Sequence, residues 1–260
     1  MNPESFSDHF SEGARDYARF RPRYPAALFD WLASLSPRRA LAWDCATGSG
    51  QAAEELARRF ERVIATDASQ KQLGQARENP PISYRVAAAE TSGLDTESVD
   101  LVTVAQALHW LDLPRFYEEV RRVLADEGVI AVWSYQLASV DEPVDRVIRR
   151  FYGEVVGAYW PPERALVERG YEELPFPFAE IPAPRFAMEE SWDLSHWIGY
   201  MGTWSAVTRY RNSIGADPID LVRSDLEHAW TDPAAARTVR WPLQLRVGRK
   251  SSLATDAAVL

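Results

Sequence analysis

The chain has 260 residues, 46% of them hydrophobic and 26% charged, with 29 Lys+Arg against 38 Asp+Glu. That length can bury a sizeable core, and the composition excludes a disordered chain, a fibrous repeat and a small disulfide-stapled scaffold. A net charge of −9 argues against a nucleic-acid partner, because phosphate binding wants a basic field.

Ala40 to Asp44 is a short run of buried-strand character, closed by the turn Thr47-Gly48-Ser49-Gly50. Gln51 to Phe60 then carries Ala53, Leu56, Ala57 and Phe60 at spacings of three and four, one face of an amphipathic helix. Val63 to Asp67 predicts a second strand, Ser69 to Arg77 a second helix with Ser69 as N-cap, Ile82 to Ala89 a third strand and Val99 to Ala107 a fourth. Leu113 to Leu124 is helical, with Phe116, Val120, Val123 and Leu124 on one face, and Gly128 to Ser134 is a fifth strand. Strands that are almost continuously apolar and alternate with helices belong to a doubly wound α/β fold, a parallel sheet covered on both faces.

After Ser134 the rhythm changes. Glu142 to Tyr159 reads as a helix, Pro161-Pro162 opens a short one, and the prolines from Pro175 to Pro184 discourage long regular elements. Helices near Asp193 to Met201 and Pro218 to Trp230 precede a last strand, Val239 to Val247. The simplest partition is a single domain over 1–260, with a cap segment at 1–36, a ligand-binding core at 37–134, substrate-side helices and an aromatic-rich insertion at 135–237, and the last strand at 238–250. Most of the ten Trp lie beyond residue 134, and large rigid aromatics build cores and ligand pockets.

The sequence opens without a basic n-region and apolar h-region, so no secretory signal is expected, and its most apolar stretch, Leu101 to Leu108, is far short of the roughly 20 residues a bilayer requires. The lone Cys45 cannot form an intramolecular disulfide, which points to a reducing cytoplasm. One Cys and four His without ligand spacing suggest no metal site.

The chemistry concentrates in Trp43-Asp44-Cys45-Ala46-Thr47-Gly48-Ser49-Gly50, where a strand ends in an acid and a tight glycine turn opens a helix. Gly48 and Gly50 let backbone pass close to a ligand, and the helix N-terminus beyond them favours an anionic group. Asp67, at the end of the next strand, can accept hydrogen bonds from the hydroxyls of a ribose. Gly48-x-Gly50-x-x-Ala53 formally fits a dinucleotide fingerprint, but Asp44 is ill suited to a pyrophosphate and well suited to a ligand bearing a positive group.

These residues resemble the class I S-adenosylmethionine-dependent methyltransferases. The family's acid-x-Gly-x-Gly-x-Gly motif is similar to Asp44 through Gly50, with Ala46 in place of the first glycine, a change that fits if its φ stays negative. Asp67 matches the acid that holds the ribose hydroxyls. Ala88-Ala89-Glu90 resembles the segment beside adenine, with Ala88 replacing a side-chain acceptor, so that backbone groups of Ala88 and Ala89 would read the base; Glu90 is either part of that contact or a solvated turn residue. Gln106-Ala107-Leu108-His109-Trp110 is similar to a small-molecule branch that includes trans-aconitate methyltransferase-like proteins. Phe6, Phe10, Tyr17 and Arg21-Pro22-Arg23-Tyr24-Pro25 resemble that branch's helix over the cofactor, which would turn Tyr17 and Arg21 toward the methionine carboxylate or the substrate.

The resemblance implies a seven-stranded, mostly parallel Rossmann-like sheet, S-adenosyl-L-methionine as cofactor, and methyl transfer to a small-molecule acceptor through a carboxylate or hydroxyl oxygen. It implies that Asp44, Ala46, Gly48, Gly50, Asp67, Ala89 and Gln106 line the cofactor, and that Trp110, Trp197, Trp204, Arg209 and Tyr210 shape the acceptor pocket. His109 is then a general base or a hydrogen-bond donor of the pocket wall, and Arg21 or Arg209 the counter-ion of a carboxylate. A monomer or homodimer is expected. Two alternatives stay open: a non-catalytic S-adenosylmethionine-binding protein, suggested by Ala46 and Ala88, and a nicotinamide-dependent oxidoreductase built on the same glycine turn.

Overall fold

A computed structural model describes residues 20–250, and its chain separates into two compact units, each assembled from non-consecutive segments. A sheet unit comprises Tyr24–Tyr135, Leu166–Phe186 and the chain from Leu243; an aromatic unit comprises the chain up to Arg23, Gln136–Ala165 and Ala187–Pro242. The change of unit after Tyr135 falls where the strand and helix alternation of the sequence gives way. Phe6, Phe10 and Tyr17 lie outside the described residues.

In chain order the elements are α1 (Ala26–Leu35), β1 (Leu41–Cys45), α2 (Gln51–Leu56), β2 (Arg62–Asp67), α3 (Gln70–Leu73), β3 (Ile82–Val86), β4 (Val99–Ala105), α4 (Leu113–Val123) and β5 (Leu124–Tyr135). There follow α5 (Glu142–Arg150), α6 (Arg164–Glu168), β6 (Ala179–Glu180), β7 (Ala187–Trp192), α7 (Leu194–Gly202), α8 (Ser205–Ile214), α9 (Arg223–Trp230) and β8 (Arg237–Arg249).

The sheet runs β3-β2-β1-β4-β5-β8-β6. The first five strands are parallel; β8, from Leu243, pairs antiparallel with β5 and β6. This is the mostly parallel, seven-stranded Rossmann-like arrangement. β1 lies in its interior, with Asp44 beside Ala65 of β2 on one side and Thr103 of β4 on the other. Every residue of β1 is buried, which explains why the strand reads as a continuous apolar run. Trp43, Val102, Val104, Phe116, Val120 and Ile130 form the fully buried heart of this unit, and the indole N–H of Trp43 donates to Thr66 Oγ1 at 2.8 Å.

Local differences from the sequence reading have physical causes. β5 begins at Leu124 and not Gly128, because Val99 already pairs with Leu124 before a bulge. The second helix is only Gln70–Leu73; Ser69 caps it, its hydroxyl accepting the Gln72 N–H at 3.4 Å. The span 142–159 is broken after Arg150 by a π turn, Phe151–Val155, and a 3-10 turn, Gly157–Tyr159, since Gly153 and Gly157 weaken a continuous helix. α1, β7 and α8 are elements the sequence did not announce.

The aromatic unit is organised by indole and phenol rings. Trp192, Trp197, Tyr200, Trp204 and Trp241 are buried, and the Trp241 N–H donates to Tyr200 Oη at 2.9 Å. β7 pairs with the part of β8 up to Pro242.

One buried carboxylate of the sheet unit fastens the loop after β3. Glu119 of α4 accepts from the Ser92 N–H at 2.8 Å and from its hydroxyl, and pairs with Arg122, which also donates to the Leu94 carbonyl at 2.8 Å. Arg122 holds the Glu119 carboxyl down at about 2, against the opposing effect of burial and with help from Ser92. A depressed carboxyl adds stability that is complete above its ordinary value and is lost as pH falls toward the depressed one. Glu119→Gln is therefore expected to lower stability at pH 7 by roughly 1–3 kcal/mol, with the deficit shrinking as pH drops from about 4.5 toward 2. Denaturant titrations at several pH values check this, and a deficit that does not depend on pH would contradict it.

Candidate active site

The turn after β1 is wound left-handed at three residues, Ala46 at φ +53°, Gly48 at +58° and Gly50 at +86°. Its backbone is tied to β2 by the Thr47 N–H, which donates to the Thr66 carbonyl at 2.9 Å. A Cβ on Gly50 would come within 2.4 Å of Tyr84 Oη, whereas one on Gly48 would meet nothing within 4 Å. Gly50 is thus required for packing, and the turn is open at Gly48. The condition on which Ala46 was to fit, a negative φ, is not met: the turn imposes the geometry of the missing glycine, at a cost of about 1–2 kcal/mol for an L-residue.

Asp44 also differs from its expected role. Its side chain is fully buried, with Oδ1 accepting from Thr103 Oγ1 at 2.7 Å and Oδ2 from Thr47 Oγ1 at 2.5 Å. Burial pushes the carboxyl up to about 6, opposed by the Thr47 and Thr103 hydrogen bonds. The carboxylate therefore faces inward and braces the turn from below.

Asp67 stands at the carboxyl end of β2. Its Oδ2 accepts the Gly48 N–H and its Oδ1 the Ser69 N–H, each at 2.8 Å. A carboxylate oxygen can accept more than one hydrogen bond, so both oxygens, aimed by backbone, suit a pair of sugar hydroxyls. Beyond β4, Gln106 sits at φ +59°, and its side-chain Nε2 is buried without a partner. Backbone strain beside an orphaned donor suits a place where a ligand would supply the partner. An open glycine face, an aimed carboxylate and an orphaned amide fit a nucleoside-bearing cofactor.

The segment after β3 leaves Ala88 exposed and Ala89 buried. Glu90 is committed to structure: its Oε1 accepts the N–H of Asp112, the N-cap of α4, at 3.1 Å. His109 lies in the short 3-10 turn Leu108–Trp110. Its Nδ1 is 2.7 Å from Tyr171 Oη, and its ring centroid is 4.7 Å from that of Trp110.

Sequence reasoning missed Tyr171, and also Tyr84 and Ser134, whose buried Oη and Oγ have no partner. None belongs to a motif, and each acquires its neighbours only by tertiary contact. Burial, reinforced by Glu54 and Asp44, lifts the Tyr84 hydroxyl to about 12.

The remaining expected residues belong to the aromatic unit. The Arg21 guanidinium lies 5.4 Å from the Tyr200 ring centroid, a cation–π distance. Trp197 and Trp204, expected as pocket walls, are core residues, since their rings pack with Tyr200 and one another inside that unit. Arg209 and Tyr210 are half-buried on α8, with Tyr210 against Tyr159 at 4.9 Å.

Comparison with known proteins agrees with this geometry. A family described as "Methyltransferase domain" matches residues 43–132. A Dictyostelium discoideum protein described as a methyltransferase is 34% identical over 232 residues, 88% of each chain. The solved structure of a type II methyltransferase from Anaeromyxobacter dehalogenans is 48% identical, covers 89% of this chain and 98% of its own, and superposes with a TM-score of 0.85. The chain belongs to the class I S-adenosylmethionine-dependent methyltransferases. A Saccharomyces cerevisiae relative described as S-adenosylmethionine-dependent is 32% identical over 138 residues, 49% of this chain and 47% of its own.

The cofactor of this methyltransferase is S-adenosylmethionine, which when bound supplies an electrophilic methyl group. Family membership removes the nicotinamide alternative. Asp67→Ala and Gln106→Ala are each expected to weaken cofactor binding about tenfold or more, the scale of losing a hydrogen bond to a charged group or leaving a polar one unmatched. Calorimetric titration with S-adenosylmethionine and its demethylated product checks both, and unchanged affinity would take the residue out of the site. Ala46→Gly is expected to raise stability by about 1 kcal/mol, the strain it relieves less the entropy glycine adds to the unfolded chain; thermal denaturation reads the change.

Proposed function

We propose that this methyltransferase alkylates an oxygen of a small-molecule acceptor, a carboxylate first and a hydroxyl second. The observation that carries the reading is His109, an imidazole held by Tyr171 three residues beyond Gln106, with the indole of Trp110 beside it. The imidazole can hold an oxygen by a hydrogen bond, as the neighbouring indole N–H also can. An amine acceptor that is cationic at neutral pH must first lose a proton, and the carboxylates near the glycine turn are otherwise engaged. Asp44 is turned inward, Asp67 is engaged by two backbone N–H groups, and Glu90 accepts from Asp112. A carboxylate acceptor is already ionised and needs no base. Alignment of the reacting atoms then supplies most of the acceleration, up to roughly 7–11 kcal/mol for a well-oriented pair.

The acidic charge and single cysteine support a cytoplasmic enzyme without a nucleic-acid partner. Among the described residues no helix is long and apolar enough to cross a membrane.

The test is incubation with S-adenosylmethionine and a panel of carboxylic acids, phenols, alcohols and amines, followed by mass spectrometry. Methyl esters or ethers are expected, and methylation confined to amines would overturn the reading.

A further inference from the structure

Ser134 is a polar residue on a strand face built from aliphatic ones. It lies on β5, is fully buried, and its Oγ has no hydrogen-bond partner. Residues two apart on a strand share a face of the sheet, and so do residues paired across neighbouring strands. The face of Ser134 carries Ile130 and Val132 on β5, paired with Val102 and Val104 of β4, and all four belong to one hydrophobic cluster. At the carboxyl ends of these strands the pattern stops. The Gln106 N–H donates to the Trp133 carbonyl at 2.8 Å, which sets Gln106 beside Ser134 at the end of β4. On the other side Ser134 is in register with Gln244 of β8. A row of uncharged polar residues thus replaces the aliphatic rows below it. Gln244 packs against Gly170, where an added Cβ would come within 3.1 Å of the Gln244 Cγ. The next residue, Tyr171, brings its hydroxyl to 2.7 Å from His109 Nδ1, so the row and the imidazole share one end of the sheet unit. A buried hydroxyl without a partner costs stability, and its retention calls for a partner from outside the fold.

We propose that Ser134 is a specificity-determining residue for the methyl acceptor, its hydroxyl bonding an uncharged oxygen, a hydroxyl or a carbonyl, that the acceptor carries beside the oxygen to be methylated. The inference rests on the oxygen-acceptor reading and deepens it, from any acid or alcohol to one with a second oxygen function. Position separates Ser134 from the cofactor's sugar. β5 is three strands from β2, about 14 Å at the usual strand spacing, which is out of reach of a sugar held by Asp67. Chemistry separates it from the cofactor's amino-acid end, whose ammonium and carboxylate call for opposite charges once buried, whereas Ser134 and Gln244 are neutral. A hydroxyl both donates and accepts, so it serves a carbonyl oxygen as donor and an alcohol as either. An acceptor lacking that oxygen would leave the Ser134 hydroxyl enclosed and unsatisfied, which is how a polar site rejects a plain hydrocarbon analogue.

Two measurements on the full chain test this. The first is thermal denaturation of Ser134→Ala without any acceptor. Removing an unpartnered hydroxyl is expected to raise the melting temperature by about 2–4 °C. An unchanged or lower melting temperature means that the fold itself satisfies the hydroxyl, and overturns the proposal. The second is methyl transfer from S-adenosylmethionine to equimolar mixtures of phenylacetate, mandelate and phenylglyoxylate, and of propanoate, lactate and pyruvate, read by mass spectrometry. Wild type is expected to favour the hydroxy or oxo acids over the plain acid by about tenfold or more, and Ser134→Ala to reduce that ratio to about threefold or less. Calorimetry is expected to show the affinity for the demethylated cofactor unchanged in the variant. No preference for the substituted acids, or a preference that Ser134→Ala leaves intact, overturns the proposal. Methylation confined to amines would defeat the oxygen-acceptor reading alone. In that case propanolamine favoured over propylamine, with the preference abolished in Ser134→Ala, supports the role of Ser134, and equal use of the two amines removes it.

Discussion

The hydrogen bond from the Gly48 N–H to Asp67, 2.8 Å long, joins the turn after β1 to the end of β2, and the site is arranged around that joint. It holds the open face of the turn beside a carboxylate whose other oxygen is fixed by Ser69. Parallel pairing brings the two strand ends side by side, with Cys45 in register with Thr66. In such a sheet the carboxyl ends of neighbouring strands are where a ligand can meet several loops at once. The buried Asp44, bonded to Thr47 and Thr103, supports the same turn from inside the sheet.

Left-handed backbone recurs in the sheet unit. Ala46, Gln106 and Tyr171 all have positive φ without being glycine, as Glu97 and Glu127 do; Ala46 lies in the glycine turn, Gln106 at the exit of β4 and Tyr171 beside His109. In each case the surroundings impose the conformation. The turn after β1 is bonded to β2 through Thr47, the Gln106 N–H donates to the Trp133 carbonyl at 2.8 Å, and Arg246 grips the Tyr171 carbonyl. A fold that spends stability on such positions supplies it elsewhere, here from the fully buried Trp43, Phe116 and neighbouring aliphatics.

The aromatic unit relies on a different device. Its elements are short and interrupted, and its core is made of a few large rings instead of a ladder of aliphatic side chains. Tyr200 illustrates the economy: it touches Trp192, Trp197, Trp204 and Trp241, receives the Trp241 N–H and carries the Arg21 charge on its face. Two χ angles per ring make such a core cheap in conformational entropy relative to the area it buries. That explains why so many tryptophans fall in a region whose periodicity is weak.

The sequence by itself determined the α/β class, the succession of strands and helices from β1 to Tyr135, the glycine turn and the acid at the end of β2, because these depend on local periodicity, glycine freedom and spacing. It could not reveal α8, whose polar residues show no strong apolar stripe, or β7, which is a strand only because β8 pairs with it. Tertiary structure alone decided that Ala46 would be left-handed, that Asp44 would face inward and that Trp197 would be buried in the core. It alone placed Tyr171 on His109, 62 residues away in the chain. Such outcomes are set by which surfaces meet after folding, and no local pattern of residues carries that information.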